Sequence, residues 1–314
     1  KHDIKLLTFL FLGFTTKELK ILFDSKDNHT IFKELQKLSN IDYKATRYIN
    51  LAHDEATFNA LDASRAWSDA YMVAPKDFQK EISPYFSTKS KRYLGALITN
   101  DCWQATPGKV VDLIRNMGIS AGGRCVEDCK VLEVMKEGAT YSILVLTHDK
   151  KYVEFRTEIF VNALGAGAGK ICEGLGIHAG LYPVRHQAFI TRRLPMLGKN
   201  GDSLDMLIDR QEYKGFSAVY GQQLAHTGQI IGCASPRVDA LRTDKNLILN
   251  TKEFMEIISE FFVDWMPELA GVGIQATWSG YYTEPRYIID PELGLFVGMR
   301  GHGFMLSQYL AKMY

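Results

Sequence analysis

The chain has 314 residues, 46% hydrophobic and 23% charged, enough for two packed domains. Lys+Arg 37 against Asp+Glu 36 leaves a net charge of +1. That balance argues against a nucleic-acid surface or an acidic tail. Five cysteines, an odd number, do not make a disulfide framework. Cys125 and Cys129 lack the companion ligands of a zinc site, so no metal is expected. A reducing, cytoplasmic setting fits this cysteine usage.

The sequence opens at Lys1 rather than Met. Leu6 to Phe14 is an apolar run between Lys5 and Lys17, shorter than the about 20 residues needed to span a bilayer. No small-residue cleavage site follows, so a buried helix is expected. Residues 1 to 39 read as helices with mixed faces. Lys44 to Ala52 reads as a strand, and His53 to Asp69 as a helix with Asp54 and Glu55 in its first turn. Tyr85 to Ser90 is loop-like, and Tyr93 to Thr99 is apolar and β-rich. Thr106 and Pro107 then open a helix as N-cap and first residue. Val110, Val111, Ile114 and Met117 give that helix one apolar face. Strands are predicted over Gly123 to Val134 and Tyr141 to Thr147, split by the turn at Lys136-Glu137-Gly138, and over Tyr152 to Arg156.

Glu158 to Leu164 is a β-type run that stops at Gly165-Ala166-Gly167-Ala168-Gly169, and a helix follows over Lys170 to Leu175. A strand feeding a glycine-rich turn and a helix is a nucleotide-binding arrangement in α/β proteins, although the motif alone is weak. Beyond Tyr182 the pattern changes to short strands at Gln187 to Thr191, Leu204 to Asp209, Phe216 to Tyr220 and Gln229 to Cys233, as in a mostly antiparallel sheet. Asn250 and Glu253 form a capping box. Phe254, Ile257, Ile258, Phe261, Phe262 and Trp265 follow at helical spacing as a core stripe, and Pro267 ends the helix. The chain closes on an aromatic cluster, a short apolar strand from Gly294 to Gly298, and a glycine turn at Gly301-His302-Gly303. A helix begins near Phe304. The N–H groups of its first turn are suited to a ligand's acceptor atoms.

This last segment carries a resemblance. Trp278-Ser279-Gly280-Tyr281-Tyr282, then Pro285, Ile288-Ile289-Asp290, and Gly298-Met299-Arg300-Gly301-His302-Gly303-Phe304-Met305 are similar to the C-terminal signature of FAD-dependent amine and amino-acid oxidoreductases. That is the D-amino-acid oxidase superfamily, with sarcosine oxidases, glycine oxidases and dye-linked L-proline dehydrogenases among its members. Phe160-Val161-Asn162-Ala163-Leu164-Gly165-Ala166, with Gly167 in the same turn, resembles the family's second FAD motif. Val131 stands where the family has a valine whose backbone meets the adenine. Tyr182-Pro183-Val184-Arg185 resembles its entry into the substrate-domain sheet. The resemblance covers residues 91 to 314.

It implies an α/β fold. A Rossmann-like FAD domain (91–180 and 285–314) is interleaved with an α+β substrate domain on a mostly antiparallel sheet (1–90 and 181–284). It implies FAD against the Arg300 to Met305 turn. No cysteine stands in the aromatic cluster, where Ser279 and Tyr281 lie, so the cofactor is expected to be non-covalent. Two departures stand out. The strand, Gly-x-Gly-x-x-Gly turn and helix that hold the FAD pyrophosphate are not found before Lys91, nor is the acidic residue that holds the ribose. A segment upstream of Lys1 is the expected source. Tyr282 stands where several members have a substrate-binding arginine, so Arg286 or Arg185 is expected to take the carboxylate.

The implied reaction is hydride transfer from the α-carbon of a small secondary or cyclic amino acid to flavin N5, giving an imine. Tyr281, Tyr282 and His302 would shape the pocket. The expected electron acceptor is oxygen or a dye- or quinone-like compound, and the expected partners include further copies or another chain, in a homo- or hetero-oligomer. Two alternatives stay open: a flavoenzyme for a 2-hydroxy acid or glycerol phosphate, and a non-catalytic subunit or relic.

Overall fold

A computed structural model describes residues 27–67, 69–87, 89, 93–194, 204–224, 227–236 and 252–314. The expected helix at Leu6 to Phe14 and the capping residue Asn250 lie outside them. Besides short helical turns, the elements in chain order are α1 (Asp27–Leu38), β1 (Lys44–Ala52), α2 (Glu55–Ser64), β2 (Ala70–Val73), β3 (Gly95–Gln104), α3 (Pro107–Ser120), β4 (Lys130–Glu137), β5 (Thr140–Leu146), β6 (Tyr152–Thr157), α4 (Ala168–Gly174), β7 (Tyr182–Thr191), β8 (Met206–Asp209), β9 (Phe216–Gln223), β10 (Ile230–Pro236), α5 (Lys252–Trp265), β11 (Ile274–Glu284), β12 (Ile288–Asp290), β13 (Leu295–Val297) and α6 (Gly303–Met313).

The described chain forms two compact units. The first takes Lys44–Gln104 and Arg185–Gly280; the second takes the described part of Asp24–Tyr43 with Ala105–Val184 and Tyr281–Tyr314. These boundaries differ from those expected. Residues 93–104 fall in the first unit because β3 pairs with both β1 and β2. Residues 27–43 fall in the second because Phe32 and Leu35 of α1 pack with Ile41 and Val110 against Phe304.

The first unit is built on an eight-stranded sheet of order β11-β7-β10-β9-β8-β1-β3-β2. From β7 to β2 its neighbours pair antiparallel, except β1 with β8, which is parallel. This is the mostly antiparallel sheet that the short alternating strands predict. The apolar stripe of α5 behaves as expected: Phe254, Ile258, Phe261, Phe262 and Trp265 are buried in one cluster with Phe189, Leu207, Val219 and Ile230. Gly221 of β9 lies opposite Gly232 of β10. A Cβ on Gly221 would stand 2.6 Å from Phe262 Cζ and 2.9 Å from the Ile231 carbonyl. The two glycines therefore open a seat in the sheet for the Phe262 ring, and any side chain there closes it. Where β1 and β8 end, His53 Nε2 pairs with the fully buried Asp209 at 2.5 Å, and the Tyr93 ring lies 4.7 Å from the imidazole.

In the second unit, β4, β5 and β6 form an antiparallel meander. The strand expected over Gly123 to Val134 begins only at Lys130. Helix α3 starts at Pro107 as predicted, but Thr106 makes no side-chain cap; its hydroxyl donates instead to Asp42 at 2.6 Å. The apolar face predicted for α3 is buried only at Val110, while Val111 and Met117 are 59% and 44% exposed. The β-type run Glu158 to Leu164 makes a single parallel bridge, Asn162 with Leu295. Asn162 N donates to Gly294 O at 2.8 Å and Phe296 N to Asn162 O at 3.0 Å. One isolated bridge is not a ladder, so the run forms no strand despite its propensity. Asn28 of α1 clamps α6 at two points, donating to Met305 O and accepting from Tyr309 N, both at 2.7 Å.

Two outcomes follow for the first unit. Gly221→Ala drives a methyl into Phe262 and a backbone carbonyl, and overpacking of this kind costs about 1–3 kcal/mol. Its urea midpoint should fall below that of the parent; an equal midpoint contradicts the seat. Burial pushes His186 of β7 down to about 4, below its unfolded value of about 6.5. Folding thus favours the neutral ring, and that contribution is complete above pH ~6.5 and is lost as pH falls towards 4, by about 1–3 kcal/mol. His186→Gln should show a shallower loss of stability than the parent between pH 7 and 4; parallel curves contradict it.

Candidate functional site

The second unit holds a cavity of ≈ 630 Å³. Three segments line it: Val161, Ala163 and Gly165 before and within the first glycine turn; Tyr281, Tyr282 and Thr283 at the end of β11; and the run from Phe296 through the second glycine turn into α6. Apolar and small residues dominate the lining, which suits a flat, largely apolar ligand with polar edges. Gly301 (φ +82) lies so close to the Tyr282 ring that a Cβ would run into it. At Gly298 (φ +74) a Cβ would run into the Arg286 carbonyl. Both positions need glycine for conformation and for room. Gly303 does not: a Cβ there would meet only the Met299 side chain, at 3.3 Å. The tight backbone approach belongs to Gly298 and Gly301 rather than to Gly303, because the chain reverses just before the helix starts.

Arg300 N donates to Thr283 O at 3.2 Å, and its Nε donates to Glu284 Oε2 at 2.9 Å. The end of β11 thus holds the turn by main chain and side chain together. His302 is the N-cap residue of α6 but makes no side-chain cap; its Nδ1 shares a 2.8 Å hydrogen bond with the buried Tyr287 hydroxyl. Beneath the first turn, Asn162 donates to Ala168 O at 3.3 Å. Burial pushes the nearby Cys172 thiol up, which makes it a packing group and not a nucleophile.

Of the residues expected at the site, Tyr281, Tyr282, Ala163, Gly165, Arg300, Gly301, Gly303 and Phe304 line the cavity. Leu164 is 38% exposed and Gly167 is exposed beside them. His302 and Met305 are on the same turn without lining it. Val131 sits on β4 opposite Val145 and is not a lining residue. Arg286 is not one either; its Nη2 reaches the Ala179 carbonyl at 3.5 Å. Arg185 is on β7 in the first unit. As site residues the sequence reading missed Val161, Thr283, Phe296, Val297, Gly298, Met299, Ser307, Leu310, Ala311 and Tyr314. The last four, with Gly303, fall at intervals of three and four along α6, so helical spacing from the glycine turn carried the signal. Among the described residues no group of His, Cys, Asp and Glu could hold a metal, and no helix is long and apolar enough to cross a membrane.

Comparison with known proteins gives this geometry its context. The model of the FAD dependent oxidoreductase family matches residues 20–314. No curated protein matches the chain. Among solved structures, the chain is similar to L-proline dehydrogenase from P. horikoshii (TM-score 0.71, 23% identity, 92% of this chain and 76% of that one). It is similar to glycine oxidase from Geobacillus kaustophilus (0.76, 16%, 95% and 78%). It is also similar to L-alpha-glycerophosphate oxidase from Mycoplasma pneumoniae with FAD bound (0.67, 14%, 92% and 78%). At these identities the likeness is one of fold.

The cavity fits the ring of such a cofactor. Its lining is apolar, its backbone is bare at Gly298 and Gly301, and the N-terminus of α6 faces it through Gly303 and Phe304. Gly301→Ala should therefore displace Tyr282 and lower the flavin retained per protein several-fold, read from the absorbance of the purified variant. Gly303→Ala should retain it. Equal flavin content in the two variants would contradict this assignment of the tight approach.

Proposed function

The chain belongs to the FAD dependent oxidoreductase family, and from that premise we propose that it oxidises a small secondary or cyclic amino acid, such as proline or sarcosine, at the C–N bond. The observation that carries the reading is the pair Tyr281 and Tyr282 in the wall of the cavity, with Tyr282 directly against the Gly301 turn. Two aromatic faces suit an apolar ring or an N-methyl group. The neighbours that act on amino acids by their printed names, proline dehydrogenase and glycine oxidase, support the same class.

When bound, FAD supplies the two-electron acceptor for the hydride that leaves the substrate's α-carbon. The chain's residues do the rest by position and electrostatics. Gly298 and Gly301 let the backbone come close, and Tyr282 is fixed by that contact. The first-turn N–H groups of α6 and its dipole favour negative charge on the part of the ring they face. Tyr281 and Tyr282 exclude water from the α-carbon. Tyr287 holds the His302 ring in one orientation, which makes His302 a structural neighbour of the ring and not a base. No acid–base residue is required if the amine enters neutral, because the nitrogen lone pair itself drives hydride departure and leaves an iminium that water hydrolyses. The aromatic cluster offers Ser279 and Tyr281 and no thiol, so the cofactor is held non-covalently.

The test uses the flavin-loaded protein with proline, sarcosine and a matched 2-hydroxy acid, without air. Expected are bleaching of the flavin by the amino acids, an imine or its hydrolysis products, and slower bleaching with deuterium at the α-carbon. Acid denaturation should release the flavin into solution. Bleaching by the hydroxy acid alone, or by glycerol phosphate alone, would replace this substrate class with the alternative one.

A further inference from the structure

Helix α1 is far from the cavity in sequence and packs behind its wall in space. Asn28 is 5% exposed. It donates from Nδ2 to Met305 O and accepts from Tyr309 N, both at 2.7 Å. These two groups of α6 are four residues apart, the carbonyl and N–H that close one turn of an α-helix. One amide therefore reaches both ends of a single backbone link. Successive residues of a helix are rotated by about 100°. Gly303, Ser307, Leu310, Ala311 and Tyr314, which line the cavity, therefore share one face of α6, and Met305 and Tyr309 fall on the opposite face. Phe32 of α1 supports the same helix. Its ring lies edge-on to that of Phe304, 5.5 Å between centroids, and Phe304 lines the cavity.

The two contacts act differently. Ring packing is non-directional and tolerates sliding of one helix along another. The amide does not. A slip of α6 by one residue, about 1.5 Å, would break both bonds and leave a buried amide unsatisfied. We propose that Asn28 is a positioning residue for the cofactor, fixing the axial position of α6 and so how closely its first-turn N–H groups approach the flavin ring. This rests on the placement of the ring at the start of α6, given above, and not on the substrate class. Asn28 does not line the cavity; it acts through Met305 and Tyr309. The effect of a helix terminus on charge falls off within its first turn. A small retreat of α6 thus costs the negative charge of the reduced ring more than it costs the oxidised ring. Loosening the grip should lower the midpoint potential of the flavin and weaken FAD binding together.

The test uses the flavin-loaded, full-length protein without substrate. Asn28→Leu keeps the branched shape and removes both bonds. Asn28→Ser keeps a polar group whose hydroxyl stops a bond short of either partner. Gly221→Ala, which overpacks the first unit, is the reference for a general loss of stability. The midpoint potential is read by reductive titration against a dye of known potential, FAD affinity by titration of the apoprotein, and folding by the urea midpoint. Expected in Asn28→Leu are a more negative potential and roughly tenfold weaker FAD binding. Asn28→Ser should shift both in the same direction. Gly221→Ala should keep both parent values although its urea midpoint falls. The potential decides: an unchanged or raised value in whichever Asn28 variant folds overturns the proposal. So does an equal shift in Gly221→Ala, which would make the effect one of stability. Failure of both Asn28 variants to fold also overturns it, since Asn28 would then serve the fold alone. A parent that holds no FAD removes the cofactor placement and this proposal with it. If the potentials behave as expected but no amino acid bleaches the flavin, the role of Asn28 stands and the substrate reading falls.

Discussion

The site of the second unit depends on one contact, the backbone of Gly301 against the ring of Tyr282. It joins the end of β11 to the turn that starts α6. The turn can come that close only because Gly301 has no Cβ and takes a positive φ. Once it does, Arg300 N reaches Thr283 O, the Arg300 guanidinium reaches Glu284, and α6 starts two residues later with its first N–H groups at the cavity. Strand end, turn and helix start are joined to one another by packing and hydrogen bonds. Preorganisation of this kind is what lets dipoles act on developing charge without first having to reorient.

The same unit shows how a weak local element is stabilised by partners distant in sequence. Asn162 is bonded on both sides of its peptide to the segment 294–296, and its side chain reaches Ala168. Asn28 joins α1 to α6 across more than two hundred and seventy residues of chain, by two bonds from one amide. Each buried amide is satisfied by backbone partners, which is the condition for placing it in an apolar interior without a large penalty. Met305 O and Tyr309 N stand four residues apart in α6, so the Asn28 amide bridges one helical turn.

The first unit is organised differently. Its core is aromatic, with Phe262 pressed edge-on to Phe189 at 5.1 Å and Trp265 at 5.0 Å from Phe262. Edge-to-face rings in a close-packed interior tolerate little change of volume. The bare backbone at Gly221 and Gly232 is the counterpart of that rigidity: the sheet yields space because the helix does not. His53 and Asp209 meet where the parallel strands β1 and β8 end, in a contact shielded from water by burial.

Some of this was legible before any coordinates. β1 has the bounds its composition predicts, the α5 stripe is the core stripe that its spacing predicts, and Gly301, Tyr281 and Tyr282 of the C-terminal motif line one cavity. These are properties set by neighbours a few residues apart, so they are written in local order. Other features depended on residues far apart in sequence. The apolar face of α3 was plain in sequence, yet only Val110 found a partner, since burial belongs to the surface a side chain meets and not to the side chain. Glu158 to Leu164 had the composition of a strand and the hydrogen bonds of a single bridge. Arg286 and Arg185, the cations expected from sequence, do not line the cavity; Arg300 does, and a backbone hydrogen bond to Thr283 and a carboxylate at Glu284, each more than a dozen residues away in the chain, hold its segment there.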